Sequence, residues 1–356
     1  MKEAVDLGKI SGNGKFTKKC QSFFQEQYGF KKTLLTTSCT DALEMASILI
    51  NVSPGDEVII PSYTFVSTAN PFILRGAKII FADSHESHPN INEERIEDLI
   101  TNKTKAIVVV HYAGVSCQMD KIMMLADKYN LFVIEDAAQA IDSTYNGSPL
   151  GGIGHLATFS FHETKNLNCG EGGLLVINDE QFLKRAEIIW EKGTNRMEFH
   201  RGEVKKYEWV DIGSSFLPSE ITASFLFAQI NNLKNIQKRR KQIWNAYYEN
   251  LMSIKNQVEL PFLPNYASNN AHLFYLVLKN IDQRDSFLSF MKEKGVMSVF
   301  HYQSLHSSPF YNNKHDGRQL DFANKYAERL VRLPLFYDLN NEEVHYIIDS
   351  VKDFFS

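Results

Sequence analysis

Short apolar runs, separated by stretches with helical periodicity, punctuate the first half of the chain. Seven of them, TLLTT, EVIIP, KIIFA, AIVVV, LFVIE, ATFSF and LLVIN, lie between residues 33 and 178. They are strand-length, rich in β-branched residues, and show little of the polar alternation of a half-exposed strand. Turn signals such as Pro54-Gly55-Asp56 and Asn146-Gly147 fall between them, where the chain must reverse. Strands alternating with helices in this way predict an α/β domain, its mainly parallel central sheet sandwiched by helices.

From Ser219 the pattern changes to SEITASFLFAQINNLKNIQKRRKQIWNAYYENL, which reads as one long connecting helix opening on a capping serine. Beyond it AHLFYLVLK, VMSVFHY and a helical run from Glu342 to Phe355 alternate on a smaller scale. The expected organisation is therefore a large domain, residues 1–240, that includes the connecting helix, and a smaller C-terminal α/β domain, residues 241–356. With 356 residues, 44% of them hydrophobic, the chain can bury a substantial core.

Charge narrows the range of partners. With 38 basic and 42 acidic residues spread along the chain, for a net charge of −4, there is no basic field for nucleic acid or an anionic membrane surface. The start, MKEAVDLGKISGNGKF, lacks the apolar core of a signal peptide, so a cytoplasmic protein is expected. Cys20, Cys39, Cys117 and Cys169 show no paired spacing, which argues for reduced thiols rather than a zinc site or a disulfide framework. His301 and His306 lack a third ligand at usable spacing, and no metal is expected.

In an open α/β sheet, ligands gather beyond the carboxyl ends of the strands. After LLTT come Ser38, Cys39, Thr40 and Asp41, directly before a helical run. A helix start offers free N–H groups to a phosphate, and the Ser38 and Thr40 hydroxyls add two further ligands; Asp41 with Glu44 also suits ordinary capping. After LFVIE comes Asp136, either a cap for the next segment or the acid partner that keeps a pyridoxal phosphate ring nitrogen protonated. After ATFSF, the segment FSFHETKNLNCGEGG sets Lys165 ahead of Gly170, Gly172 and Gly173. Lys165 is a solvated surface charge or, if desolvated, an amine able to form a Schiff base, with Ser160 turning its hydroxyl towards a phosphate.

The order TTSCTDAL, GDEVIIPSYTFVSTAN, HYAG, EDAAQA, FSFHETKN, EGG and LPLFY resembles the DegT/DnrJ/EryC1/StrS family of sugar aminotransferases, from about Gly8 to the last residue. Finer features, HETKN, EKGTNR, DIGSS and VFHY followed by LH, are similar to its branch of dTDP-4-amino-4,6-dideoxygalactose transaminases. The resemblance implies the fold of aspartate aminotransferase, fold type I of the pyridoxal-phosphate enzymes, with pyridoxal 5′-phosphate as cofactor. It also implies L-glutamate as amino donor, a dTDP-linked keto-deoxy sugar as acceptor, and a homodimer whose active sites use both subunits.

On that resemblance Lys165 forms the Schiff base and moves the proton in catalysis. Asp136 pairs with the pyridine nitrogen and Gln139 lies near the ring 3-hydroxyl. Ser38, Cys39, Thr40, the backbone of Asp41, and Ser160 hold the phosphate, and Phe65 stacks on the ring unless it is a plain core aromatic. His162, Tyr302 and His306, with His301, face the sugar nucleotide or are satisfied structural residues, and Arg196 meets an anion or is structural. This chain has Cys39 where many members have glycine, and Leu217 near the place of an asparagine donated by the neighbouring subunit. Rival readings are a C3 aminotransferase acting on a 3-keto isomer and a regulator that binds cofactor or sugar without turnover. A dehydratase of the same fold would carry histidine in place of Lys165.

Overall fold

The computed structural model describes residues 1–356. All seven apolar runs are strands of one sheet: β1 (Lys32–Thr36), β2 (Glu57–Pro61), β3 (Lys78–Ala82), β4 (Thr104–Val110), β5 (Phe132–Asp136), β8 (Leu156–Ser160) and β9 (Gly173–Ile177). A small hairpin, β6 (Thr144–Tyr145) and β7 (Ser148–Pro149), intervenes between β5 and β8. The sheet order is β1-β9-β8-β5-β4-β2-β3, and β9 alone runs antiparallel to both of its neighbours. The sheet is thus mainly parallel, as expected of an α/β domain.

Alternation along the strands sorts their side chains into two cores. Val58, Ile60, Ala106, Val108, Leu175 and Ile177 join one apolar cluster, while Ile59, Ile107, Val109, Leu174 and Val176 join the other on the opposite face. Both faces are covered, which is why β2 and β9 are buried at every position and read in sequence as continuous apolar runs.

The stretch from Ser219 forms two helices rather than one, Glu220–Asn231 and Leu233–Leu251. Asn232 breaks the line: its backbone leaves helical geometry and its side-chain oxygen accepts from Asn235 Nδ2 at 2.8 Å. Within the second helix Leu233 and Ile236 pack into a core of the large sheet, whereas Ile243, Trp244, Tyr247 and Leu251 pack into a separate C-terminal cluster. That cluster also covers one face of a small antiparallel sheet, β10 (Phe274–Val277), β12 (Leu330–Leu333) and β11 (Val299–Phe300) in that order. No helix is long and apolar enough to cross a membrane.

Candidate active site

Strand register brings the chemistry to one edge of the large sheet. Gly173, the first residue of β9, lies level with Thr36 of β1 on one side and Ser160 of β8 on the other. Asp136 ends β5, which runs parallel to β8, so the segments that follow β1, β5 and β8 emerge together. A Cβ at Gly173 would stand 2.3 Å from the Ser38 carbonyl carbon and oxygen and 2.4 Å from Cys39 N. Glycine is what lets β9 run against the start of the helix Cys39–Leu49.

That helix start is capped by Ser38, whose hydroxyl accepts from Asp41 N–H at 3.0 Å. The N–H groups of Cys39 and Thr40 find no acceptor in the protein. Thr40 Oγ1 donates to Ser67 Oγ at 2.8 Å, which sets two hydroxyls beside those free donors. Burial pushes the Cys39 thiol up, so it brings no negative charge to the site. The cradle is neutral to cationic and rich in donors, as a phosphate requires.

Asp136 lines a cavity of about 430 Å³ together with Ser38, Cys39 and Thr40. Its carboxylate accepts from Thr68 Oγ1 at 2.7 Å and from Ala138 N–H at 3.2 Å. Burial raises its pKa, against the lowering effect of those bonds and of the Lys165 charge. The preceding Glu135 holds the strand end in place: its buried carboxylate accepts from the N–H groups of Gly151, Ile153 and Gly154 at 2.6–2.8 Å and pairs with His111 Nε2 at 3.0 Å. Burial alone would raise the Glu135 carboxyl, but these partners outweigh it and keep it below its ordinary value.

Lys165 reaches the same cavity from the loop after β8, anchored by its own N–H to the His162 carbonyl at 2.9 Å. Its ammonium has no acidic partner within ion-pair distance, and burial pushes its pKa below the ordinary value despite the pull of Asp136. Gln139 is fixed at both ends of its amide, accepting from Ala113 N–H at 2.6 Å and donating to the Tyr302 hydroxyl at 3.0 Å. Phe65 is 54% exposed, so it is no core aromatic, and its ring stands 5.9 Å from that of Tyr302 across the cavity mouth.

Ser38, Cys39, Thr40, Phe65, Asp136, Gln139, Ser160, His162, Lys165 and Tyr302 thus line one cavity. Two expected residues do not. The N–H of Asp41 is taken by the Ser38 cap and its carboxylate accepts from the Thr37 hydroxyl, which turns it away from the ligand side. His306 is buried against Ser62, with Nδ1 2.7 Å from Ser62 Oγ, and belongs to the packing behind the site. Arg196 lies elsewhere, beside Glu191 and His200. The cavity also takes in Thr64, Ser67, His272 and Arg332, which strand-end reasoning did not select. The hydroxyls of SYTFVST were a visible signal for Thr64 and Ser67, whereas His272 and Arg332 come from the distant small sheet region and had none.

The donor set suits pyridoxal phosphate: free N–H groups and hydroxyls for the phosphate, a buried carboxylate lacking a cationic partner for the ring nitrogen, and a desolvated amine in the same cavity. Residues 1–352 match the model of the DegT/DnrJ/EryC1/StrS aminotransferase family. The chain belongs to this family. It is 31% identical to the Bacillus subtilis spore coat polysaccharide biosynthesis protein SpsC over 99% of this chain and 92% of that one. It is also 31% identical to Escherichia coli O157:H7 GDP-perosamine synthase, over 99% and 94% of the two chains. Among solved structures, the Streptococcus pneumoniae sugar aminotransferase homologue Spr1654 in its PLP form superposes with a TM-score of 0.89 at 26% identity, covering 99% of this chain and 95% of that one. This family member is a pyridoxal-phosphate-dependent sugar aminotransferase, acting on a keto sugar with an amino donor.

Proposed function

We propose that the enzyme moves the amino group of L-glutamate to the C4 ketone of dTDP-4-keto-6-deoxyglucose, giving a dTDP-4-amino-4,6-dideoxyhexose for a surface polysaccharide. The observation that carries the aminotransferase chemistry is Lys165, an unpaired and desolvated amine in one cavity with Asp136 and an open helix start. The 4-keto, dTDP-linked acceptor is supported by the branch motifs HETKN, EKGTNR, DIGSS and VFHY. Relatives named for GDP-perosamine and for spore coat polysaccharide support a nucleotide sugar and a polysaccharide destination.

When bound, pyridoxal phosphate supplies the electron sink that lets a proton leave the carbon bearing the amine. Lys165 would hold the cofactor before the donor arrives, and its amine, once released, would move the proton that leaves the donor α-carbon. Asp136, held by Thr68 and Ala138, would keep the cofactor's ring nitrogen protonated. Ser38, Ser160 and the N–H groups of Cys39 and Thr40, all at one cavity, would anchor its phosphate, Phe65 would cover its ring and Gln139 would lie near its ring hydroxyl. His162 and Tyr302 face the sugar. Two half-reactions through one cavity follow from this arrangement, with the amino acid leaving before the sugar enters.

The reading extends to a cytoplasmic homodimer. Tyr207, Trp209, Val210 and Ile212 form an exposed apolar run, Trp209 being 82% exposed, next to the segment around Leu217 that relatives lend to a neighbouring site. The decisive experiment follows absorbance through both halves of the cycle. Glutamate should abolish the band of the lysine-bound cofactor, and dTDP-4-keto-6-deoxyglucose should restore it. Restoration by the 3-keto isomer alone would replace the substrate assignment.

A further inference from the structure

Asn166, the residue after Lys165, is buried, and its side chain makes three hydrogen bonds. Nδ2 donates to Gln237 Oε1 at 2.8 Å and to the Asn270 carbonyl at 2.9 Å, and Oδ1 lies 2.9 Å from His272 Nδ1. A carbonyl only accepts, so the atom that faces Asn270 must be the amide nitrogen. Gln237 agrees, because its own Nε2 donates to the Asp142 carboxylate at 3.3 Å and leaves Oε1 to Asn166. Asn166 Oδ1 therefore meets His272, whose Nδ1 has to carry the proton. Burial, and then the charges of Lys165, Arg240 and Arg332, hold the ring well below its ordinary pKa and keep it neutral. A neutral ring protonated at Nδ1 leaves Nε2 with a bare lone pair.

That lone pair has no partner within the protein: the hydrogen bonds of His272 are those of Nδ1 and of its backbone. The residue borders both the reaction cavity and an adjoining cleft of about 730 Å³, in the company of Thr164, Lys165 and Arg332. An acceptor that cannot donate turns away carboxylates and phosphates and selects a group with a proton to give. An amino-acid donor brings carboxylates, and its one amine is the reacting group. A keto-deoxy sugar brings hydroxyls, the nearest on the carbon beside its ketone. We propose that His272 Nε2 accepts a hydrogen bond from the sugar hydroxyl adjacent to the reacting ketone, with Asn166 as the positioning residue that fixes the tautomer. This inference rests on the reading of the enzyme as an aminotransferase with a keto-deoxy sugar as acceptor.

The test compares the two half-reactions of the holoenzyme. His272→Asn keeps a donor for Asn166 in the place of Nδ1 and removes the acceptor at Nε2. It should raise the half-saturating concentration of dTDP-4-keto-6-deoxyglucose, for enzyme loaded with pyridoxamine phosphate, about tenfold, while glutamate saturation stays within about twofold. Wild type should lose a similar factor on the analogue that lacks the hydroxyl beside the ketone, and the variant should lose nothing further. His272→Gln, which returns an amide oxygen near the place of Nε2, should recover part of the loss. In the wild-type protein, nitrogen NMR of isotopically labelled histidine should show His272 protonated at Nδ1 and bare at Nε2; a proton on Nε2 overturns the proposal without any variant. Equal use of the sugar and its analogue by wild type also overturns it, and a loss shared by the glutamate half-reaction overturns it by assigning the lone pair to Lys165. A wild type that converts glutamate but no keto sugar overturns the functional reading and this inference with it; a wild type that turns over the sugar beside an unaffected His272→Asn variant overturns this inference alone.

Discussion

Thr68 donates a hydrogen bond of 2.7 Å to Asp136 Oδ2, joining the loop after β2 to the carboxylate that ends β5. The bond fixes the carboxylate plane and opposes the rise in pKa that burial imposes on Asp136. Removing it leaves the carboxyl more protonated and less able to meet a cationic ring nitrogen. Thr68→Val should therefore weaken cofactor binding roughly tenfold, the worth of about one charge-assisted hydrogen bond. Titration of the apoenzyme with pyridoxal phosphate measures this directly, and an unaltered affinity would show that Thr68 does not support Asp136.

Gly173 makes a different demand, one of space. Because a Cβ there meets the backbone of Ser38 and Cys39 at 2.3–2.4 Å, Gly173→Ala has to push β9 and the helix start apart. Overpacking against backbone should cost on the order of 1–3 kcal/mol and disturb the phosphate cradle at the same time. A lowered melting temperature together with weaker pyridoxal phosphate binding is the expected result. A variant as stable as wild type, with full affinity, would mean that the two elements are not held together as closely as described.

His306 gives the protein a calculable sensitivity to acid. Burial, with His315 and Arg318 nearby, lowers its pKa from 6.5 to about 4. The unfolded ring takes a proton below about pH 6.5 while the native ring does not, so its contribution is fully present above that pH and is lost as pH falls towards 4. At pH 5 the loss from this one ring is about 1–2 kcal/mol. His88, lowered to about 4, and His301, lowered to about 2, act in the same direction. Urea denaturation at pH 7.5 and pH 5 should show a smaller pH effect in His306→Asn than in wild type; equal effects would place the acid sensitivity elsewhere.

The strands were legible because a sheet covered on both faces needs continuous apolar runs, and no other local feature of the sequence competes with them. Lys165, Asp136 and Ser38 could be found for a related reason, since each lies at or shortly after the carboxyl end of a strand and parallel strands deliver their ends to one edge. His306 and the backbone of Asp41 show where motif position misleads. Each lies in a segment that touches the site, but the His306 ring turns to Ser62 and the Asp41 N–H is taken by the Ser38 hydroxyl. His272 was hidden because nothing local marks it: its importance comes from the small sheet region folding back on the large one, a relation set by tertiary packing.

The central claim is that Lys165, and no other lysine, carries the cofactor. Borohydride reduction of the holoenzyme fixes pyridoxal phosphate to whichever amine holds it, and peptide mass spectrometry then locates the adduct. The account predicts a single adduct on Lys165 and none in Lys165→Ala. An adduct on a different lysine of the wild-type enzyme, or equal labelling of the Lys165→Ala variant, would contradict it.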